Sequence, residues 1–229
     1  MGTYNVRGGL GTQILSLYTC YAIAKENNTT VNKILFNTGG YWQNSDIIMD
    51  EDRIFFDDFL TFKKRPEITT VIGTNKTNPF KEPNVSLLLK WWENINESEV
   101  SLNLNGCDYV NSGKTVIHVR QSDRPLIPIE VYDEEIRYHK NPIILSEDKS
   151  VHKRYGITPT NDTIKDWMTI YQAHTIIGGF SSFALLAGMW NPSLNVYFFN
   201  KLLANPNVSF DVWNIIHKFV EKFPNINWT

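Results

Sequence analysis

Short apolar runs alternate with segments of helical spacing along most of the chain. Near the beginning, Gly2–Val6 and Asn32–Asn37 have the apolar and β-branched character of strands, and Ile14–Asn28 between them carries apolar residues at helical spacing. A glycine-rich segment, Arg7–Gln13, joins the first strand to this helix and predicts a tight turn. The pattern therefore predicts a strand, a helix and a second strand in this order.

A second alternating series begins near residue 114. Strands are predicted at Thr115–Val119, Pro142–Asp148, Thr175–Gly179 and Asn195–Asn200. Helices are predicted at Thr163–His174, Ser181–Trp190 and Phe210–Phe223, while Glu130–Lys140 suits either a helix or an extended segment. Residues 38–84 give mixed signals, and Val85–Ile95 follows them as an amphipathic helix. Strands that alternate with helices indicate parallel sheets covered by helices. We therefore predict a compact α/β fold of two Rossmann-like halves, residues 1–112 and 113–229, hinged near 105–113.

Charge and composition exclude several classes of function. Twenty-two Lys and Arg against 24 Asp and Glu leave a net charge of -2, which disfavours a nucleic-acid binder or a protein of anionic membranes. No apolar run is long enough to span a membrane and no secretory signal is recognisable, so a soluble cytoplasmic protein is expected. Cys20 and Cys107 are too few for a disulfide scaffold or a structural zinc site, and both are predicted to be core thiols.

The glycine-rich segment after the first strand is the first candidate site. Gly9 and Gly11 allow backbone N–H groups and a helix N-terminus to approach a phosphate, and packing alone also explains a tight turn there. The segment is not a dinucleotide fingerprint, because Ile14 stands at the third glycine position and Asn37, not an acidic residue, ends the second strand.

The second candidate site follows the strand Thr115–Val119. Alternation along a strand places His118 and Arg120 on one face of its end, with Asp123 in the loop beyond. An arginine there is a natural partner for a phosphate, through paired charge-assisted hydrogen bonds. The alternative is a salt bridge between Arg120 and Asp123 beside a core histidine. A metal site is disfavoured, because no second His or Cys stands at ligand spacing.

The third candidate site consists of polar residues at predicted helix starts. Asp166 suits the dipole of the helix that it opens, and Ser181 and Ser182 stand where hydroxyl groups cap backbone N–H groups. Capping explains all three residues, and the same geometry also makes an anion pocket. A hydrolase nucleophile at Ser181 is a poor match, because the segment Gly179–Phe183 lacks the second glycine of a nucleophile elbow.

Taken in order, these segments resemble motifs of the GDP-fucose-dependent α1,2 and α1,6 fucosyltransferase superfamily, whose enzymes have a GT-B-like fold. The segment from Arg7 to Lys25 resembles the family's G-G-L-G-N-Q motif and the helix after it. The segment from His118 to Asp123 is similar to its H-x-R-R-x-D motif. Two further segments, from Ile143 to Gly156 and from Asp166 to Pro192, resemble later parts of the family pattern. The resemblance covers both ends of the chain, and residues 38–112 match nothing in it.

The resemblance implies two Rossmann-like halves that face a cleft, with the acceptor bound by the first half and the nucleotide sugar by the second. In these enzymes the matching positions bind the donor: His118 would contact the guanosine, Arg120 the β-phosphate, Asp166 the guanine edge, Ser181 and Ser182 the diphosphate, and Gly9, Gly11 and Gln13 the cleft from the other half. The implied partners are a nucleotide-sugar donor and a glycan acceptor, without nucleic acid and without a membrane span.

The implied activity is a metal-independent, inverting glycosyl transfer from GDP-fucose to a glycan hydroxyl, with no cofactor. Arg120 would stabilise the charge on the leaving diphosphate. Asp123 is the candidate general base, and its alternative role is to orient Arg120. Glu130 or Asp133 would be considered next.

Three departures from the family pattern keep alternatives open. Gln121 replaces the second arginine of the H-x-R-R-x-D motif, and Thr12 replaces the asparagine of the G-G-L-G-N-Q motif. The chain is also shorter than is usual in the family. A catalytically degenerate nucleotide- or glycan-binding protein of the same fold is therefore the first alternative. A nicotinamide-dependent oxidoreductase is the second, favoured only by the glycine-rich turn. Trp91 and Trp92 suit either a sugar-stacking surface or the core.

Overall fold

The structure is a computed structural model that describes residues 2–6, 10–37, 59–71, 79–104, 112–121, 127–160, 162–200 and 212–229. The chain divides into two units, Met1–Asp108 and Tyr109–Thr229. Each unit has its own sheet and its own buried apolar residues.

The first unit begins with a strand, a helix and a parallel strand. Strand β1 is Gly2–Val6, helix α1 is Leu10–Glu26 and strand β2 is Val31–Asn37. Later in the unit come β3 (Leu60–Phe62), β4 (Glu67–Val71), α2 (Asn84–Ser98) and β5 (Val100–Leu102). The order β1-β2-β4 forms a parallel sheet, and β3 pairs with β5 in antiparallel fashion. Helix α1 thus crosses from one strand to its parallel neighbour, as predicted.

Helix α1 is buried on nearly every side, and its polar residues are buried with the apolar ones. The hydroxyl groups of Ser16 and Thr19 each donate to the carbonyl oxygen four residues earlier, at 2.7 and 2.8 Å. Each hydroxyl group is thereby hydrogen-bonded within its own helix, so it can lie in the core without a further partner. The helix begins at Leu10, earlier than the sequence pattern predicts, and therefore includes Gly11 and Gln13 in its first turn.

Helix α2 packs on α1 through aromatic contacts. Trp92 is buried and stacks on Tyr18 with ring centroids 4.6 Å apart, and the Tyr18 hydroxyl donates to Asn96 at 2.6 Å. Trp91 lies nearer the surface, where its indole N–H donates to Glu26 and the Lys90 ammonium lies over its ring. Of the two candidate sugar-stacking residues, Trp92 therefore belongs to the core.

The second unit contains a five-stranded parallel sheet in the order β7-β6-β8-β9-β10. Its strands are β6 (Thr115–His118), β7 (Ile143–Leu145), β8 (Thr175–Gly178), β9 (Asn195–Phe198) and β10 (Ile226–Trp228). Its helices are α3 (Ile129–Tyr138), α4 (Lys149–Tyr155), α5 (Thr163–Tyr171), α6 (Ser182–Trp190) and α7 (Val212–Lys222). Most residues of the interior strands β6, β8 and β9 are buried, as expected of a parallel sheet covered by helices.

One buried asparagine ties the end of α6 to the last strands. The side-chain amide of Asn225 donates to the carbonyl oxygens of Gly188, Asn191 and Leu194 at 2.9, 3.1 and 2.8 Å. The carbonyl oxygen of Asn225 accepts from the N–H of Val196 at 2.8 Å. The carbonyl groups left over at the end of α6 are therefore paired inside the protein rather than with solvent.

The mixed α/β fold with a parallel sheet is confirmed, and most predicted elements of the second unit appear within a few residues of their expected ends. The ambiguous segment Glu130–Lys140 is a helix, α3. Helix α4 and strand β10 were not predicted. No helix in the described part of the chain has the length and apolar character required to cross a membrane.

Candidate functional site

The strand order of the second unit defines where a ligand would bind. Numbered along the chain within this unit, the five strands lie in the order 2-1-3-4-5, which is one of the two common orders of doubly wound sheets. From β6 the chain passes to β7, which lies towards one edge of the sheet. From β8 it passes to β9, which lies towards the opposite edge. The crevice at the carboxyl ends of β6 and β8 is the topological switch point, which is where such sheets bind ligands.

Two of the predicted site segments meet at this switch point. His118 is the last residue of β6 and pairs with Gly178, the last residue of β8. Arg120 follows β6 by two residues, and Gly179 to Ser181 lead from β8 into α6. The structure thus brings together His118, Arg120 and Ser181 at the ends of two adjacent strands, although they are far apart in sequence.

The two strand ends approach each other closely because of two glycines. A Cβ atom on Gly178 would lie 2.5 Å from the carbonyl oxygen of His118, and a Cβ on Gly179 would lie 2.8 Å from the hydroxyl oxygen of Tyr132. Both distances are shorter than normal Cβ contacts, so a side chain at Gly178 would force the His118 backbone to shift, and one at Gly179 would displace the Tyr132 hydroxyl.

His118 is largely buried and stays neutral. Burial lowers the pKa of its imidazole to about 4, and the nearby positive charge of Arg120 acts in the same direction. Its Nδ1 atom is buried and has no hydrogen-bond partner in the described part of the chain. At neutral pH this side chain therefore offers one donor or one acceptor without charge, which suits the uncharged part of a ligand better than a phosphate.

The start of α6 is a capped helix N-terminus. Ser181 is the N-cap residue, and its buried hydroxyl oxygen accepts from the N–H of Phe183 at 3.2 Å. Ser182 is the first residue of the helix and is partly exposed. The positive end of the helix dipole and the guanidinium of Arg120 therefore both lie at the carboxyl edge of the sheet.

Asp166 lies in the first turn of α5, whose N-cap is Asp162. Helices between parallel strands run against the strand direction, so this first turn lies at the same edge of the sheet as Arg120. The Asp166 carboxylate accepts from the hydroxyl of Thr160 at 2.6 Å. Burial raises the pKa of Asp166, and the neighbouring charge of Asp162 raises it further.

Other polar groups near the switch point are already engaged in structural contacts. Gln121, at the position of the second motif arginine, donates from Nε2 to the carbonyl oxygen of Ile127 at 2.8 Å. Asp133 accepts from Arg154 and from the Tyr155 hydroxyl, and these bonds lower the pKa of Asp133. A carboxylate that is ion-paired in this way is a weak proton acceptor.

The remaining predicted site residues have different positions. Gly11 and Gln13 are buried in the first turn of α1 in the other unit, and Gln13 has no exposed surface. Gly9 and the candidate base Asp123 lie outside the described residues. Cys20 is buried and forms no disulfide within the described residues, and Cys107 lies outside the described ranges. Within those ranges no three His, Cys, Asp or Glu side chains are grouped as metal ligands.

Sequence analysis missed Tyr132, which proves central to the switch point. Tyr132 is fully buried in α3, and its hydroxyl oxygen accepts from the N–H of Gly179 at 3.2 Å. Sequence patterns had left its segment undecided between helix and strand, so the direction of its side chain could not be predicted. A tyrosine in an amphipathic segment is also often buried for packing alone, and carries no functional signal by itself.

Searches against protein-family models, curated proteins and solved structures yield no match for this chain. The functional argument therefore depends on the geometry of the switch point and on the motif resemblance alone.

Proposed function

We propose that the chain is a metal-independent, inverting glycosyltransferase that moves fucose from GDP-fucose to a glycan hydroxyl. The second unit binds the nucleotide sugar, and the first unit contributes the acceptor side. The proposal includes two Rossmann-like halves that face a cleft, and a cytoplasmic location, both of which follow from the sequence arguments above.

The observation that carries the proposal is the composition of the switch point between β6 and β8. A cation on one strand end, Arg120, is combined with a capped helix N-terminus on the other. Both features favour a group with negative charge on several oxygen atoms, such as a diphosphate. The motif segments from His118 and from Asp166 independently resemble those of GDP-fucose enzymes.

The chemistry follows from where charge develops during transfer. Breaking the bond between fucose and the β-phosphate leaves negative charge on GDP and positive character on the sugar ring. The Arg120 guanidinium and the N–H groups at the start of α6 stabilise the departing diphosphate. Because these groups are fixed before the reaction begins, they need no reorganisation when the charge appears.

In this proposal two side chains, an imidazole and a carboxylate, bind the nucleoside end of the donor. The neutral imidazole of His118 contacts the guanosine, and the Asp166 carboxylate accepts from the N1–H and exocyclic amine of guanine. A carboxylate in this role discriminates guanine from adenine, since adenine has no such pair of donors on that edge.

The acceptor hydroxyl attacks the face of fucose opposite to the leaving diphosphate, which inverts the anomeric centre. Asp123 is the proposed base that takes the hydroxyl proton. Asp133 is less suited because Arg154 and Tyr155 occupy its oxygen atoms, and Glu130 is exposed in the first turn of α3. If the Asp123→Asn variant keeps the wild-type transfer rate and binds GDP tightly, Asp123 is not the general base. Glu130 is then the next candidate.

A second candidate function is nucleotide or glycan binding without catalysis. Gln121 favours it, because the residue at the second motif arginine is neutral and its amide is bonded to Ile127. One cation is thereby lost from the donor site. A site with less positive charge still binds GDP, and stabilises the departing diphosphate less well.

Isothermal titration of GDP into the metal-free protein tests the proposed donor site. Wild type should bind GDP in the micromolar range, and Arg120→Ala should lose most of that affinity. Arg137→Ala is the matched control, because Arg137 is an exposed arginine on α3. Binding of NAD in place of GDP would revive the oxidoreductase alternative and refute the proposal.

Activity separates the two candidate functions. Wild type is incubated with GDP-fucose alone and with a panel of glycan acceptors, and release of GDP is measured. Transfer or donor hydrolysis that disappears in Arg120→Ala supports the enzyme. Tight GDP binding without any release of GDP supports the binding protein.

A further inference from the structure

Tyr132 connects α3 to the backbone segment that follows β8 at the switch point. It lies within α3 (Ile129–Tyr138) and has no exposed surface. Its hydroxyl oxygen accepts from the N–H of Gly179 at 3.2 Å. One oxygen atom of α3 therefore holds the residue that follows β8 and leads into α6.

Packing leaves this hydroxyl little freedom to move. The Tyr132 ring meets Phe199 edge to face, with centroids 5.1 Å apart, and the N–H of Phe199 donates to the carbonyl oxygen of Gly178 at 3.0 Å. On the other side, a Cβ atom on Gly179 would come within 2.8 Å of the hydroxyl oxygen. The ring and the Gly179 backbone thus fix the oxygen from two directions.

The hydroxyl is also chemically suited to hold a backbone amide. Burial raises the pKa of Tyr132 to about 12, so the group stays an uncharged O–H throughout the usual pH range. Because Tyr132 is completely buried, a ligand in the crevice does not reach it, and it is not a catalytic residue.

We propose that Tyr132 is a positioning residue of the donor site, whose hydroxyl holds the Gly179 backbone and so fixes the start of α6 at the switch point. This inference rests on the proposed function, because the start of α6 is matched to a diphosphate only if the site binds one. The regular pairing of β6 with β8 ends at His118 and Gly178, so Gly179 lies beyond the ladder that would otherwise hold it.

The role predicts a selective loss of affinity. Tyr132→Phe removes the hydroxyl and keeps the ring, so the core remains filled while the Gly179 N–H loses its acceptor. GDP affinity should fall roughly tenfold, the effect of losing about one buried hydrogen-bonded contact. Affinity for guanosine, which has no phosphate, should change less than about twofold on the same grounds, because the His118 and Asp166 contacts are retained.

The experiment titrates GDP, guanosine and inorganic pyrophosphate into wild type, Tyr132→Phe and Tyr138→Phe. Tyr138 is the matched control, since it lies on the same helix and is 84% exposed. Weakened GDP and pyrophosphate binding with retained guanosine binding in Tyr132→Phe alone supports the positioning role. Equal weakening for all three ligands, or no weakening, overturns it.

Amide hydrogen exchange of the ligand-free proteins gives a separate readout. In Tyr132→Phe, exchange should speed up at Gly179 and stay unchanged in α1, whereas Tyr138→Phe should match wild type. Unchanged exchange at the Gly179 amide overturns the inference even if GDP binds. If wild type binds neither GDP nor pyrophosphate, the proposed function itself fails and the positioning role fails with it.

A second substitution checks the contact directly. Gly179→Ala places a methyl group against the Tyr132 hydroxyl, while its next contact, Ile127 at 3.5 Å, is ordinary packing. Gly179→Ala should weaken GDP binding, and adding Tyr132→Phe should cost less than the sum of the single changes because it removes the clash. Strict additivity in this cycle would refute a direct role of the hydroxyl.

Discussion

Protonation of His118 should destabilise the folded protein. The pKa of this imidazole is about 4 in the folded state and about 6.5 in an unfolded chain, a difference of about 2.5 units. Between these two values the unfolded state binds one more proton than the folded state, so stability falls as the pH is lowered. Each pKa unit corresponds to about 1.4 kcal/mol of unfolding free energy, which gives a total on the order of 3 kcal/mol.

The direction of the effect defines the pH window. Above about pH 6.5 the imidazole is neutral in both states and contributes no pH dependence. From there down to about pH 4 the free energy of unfolding should decrease, by at most about 1.4 kcal/mol per pH unit for one proton. Other groups titrate in the same range, so the contribution of His118 has to be isolated by comparison with a variant.

The assay is urea denaturation of wild type and His118→Asn at several values between pH 4 and 7.5. Asparagine keeps a polar group near the position of Nδ1 and does not titrate. The difference in unfolding free energy between wild type and variant should shift by about 3 kcal/mol across the window, in favour of the variant at low pH. His174→Asn, which changes an exposed histidine before β8, is the matched control.

Two results would refute this account. An NMR titration of the His118 ring with a midpoint near its ordinary value would show that burial does not suppress protonation. A pH dependence that is altered equally by His118→Asn and His174→Asn would show that the effect is not specific to the switch point.

The remaining predictions concern the cores of the two units. Asn225→Ala should lower the unfolding free energy by about 2 to 4 kcal/mol, because it leaves buried carbonyl oxygens unpaired. The control, Asn227→Ala on β10, should lower it by less than about 1 kcal/mol. Equal losses of unfolding free energy in urea denaturation would contradict the role of Asn225. Trp92→Ala should lower the unfolding free energy by about 3 to 5 kcal/mol and Trp91→Ala by about 1 kcal/mol, since only Trp92 fills a buried space. If urea denaturation showed the lower midpoint for Trp91→Ala, the core would lie elsewhere.

Sequence patterns predicted the second unit better than the first. The apolar segment around Ile117 and the one around Ile177 contain too few polar residues for surface strands, so their burial in a parallel sheet could be predicted. Helix α1 began earlier than predicted because two glycines near Leu10 suggested a turn. Burial of nearly the whole helix in the folded unit overcame that local preference. The spacing of apolar residues along the sequence does not indicate such burial.

The candidate site was predictable only in part. Strand alternation placed His118 and Arg120 at one strand end, and helix capping placed Ser181 at another. That these two ends are neighbours depends on the strand order, which pairs β6 with β8 rather than with β7 alone. Strand order is decided by crossover connections and packing over the whole unit, so the contact of Tyr132 with Gly179 had no local signal.

The close approach of β6 and β8 limits how the site can be redesigned. A library intended to change the bound ligand would ordinarily randomise the end of β8 and the loop after it, because this segment lies at the crevice. Every side chain at Gly178 would meet the carbonyl oxygen of His118, so most members of such a library would be misfolded for reasons unrelated to the ligand. Diversity is better placed at Gln121 and Ser182, whose side chains are partly exposed.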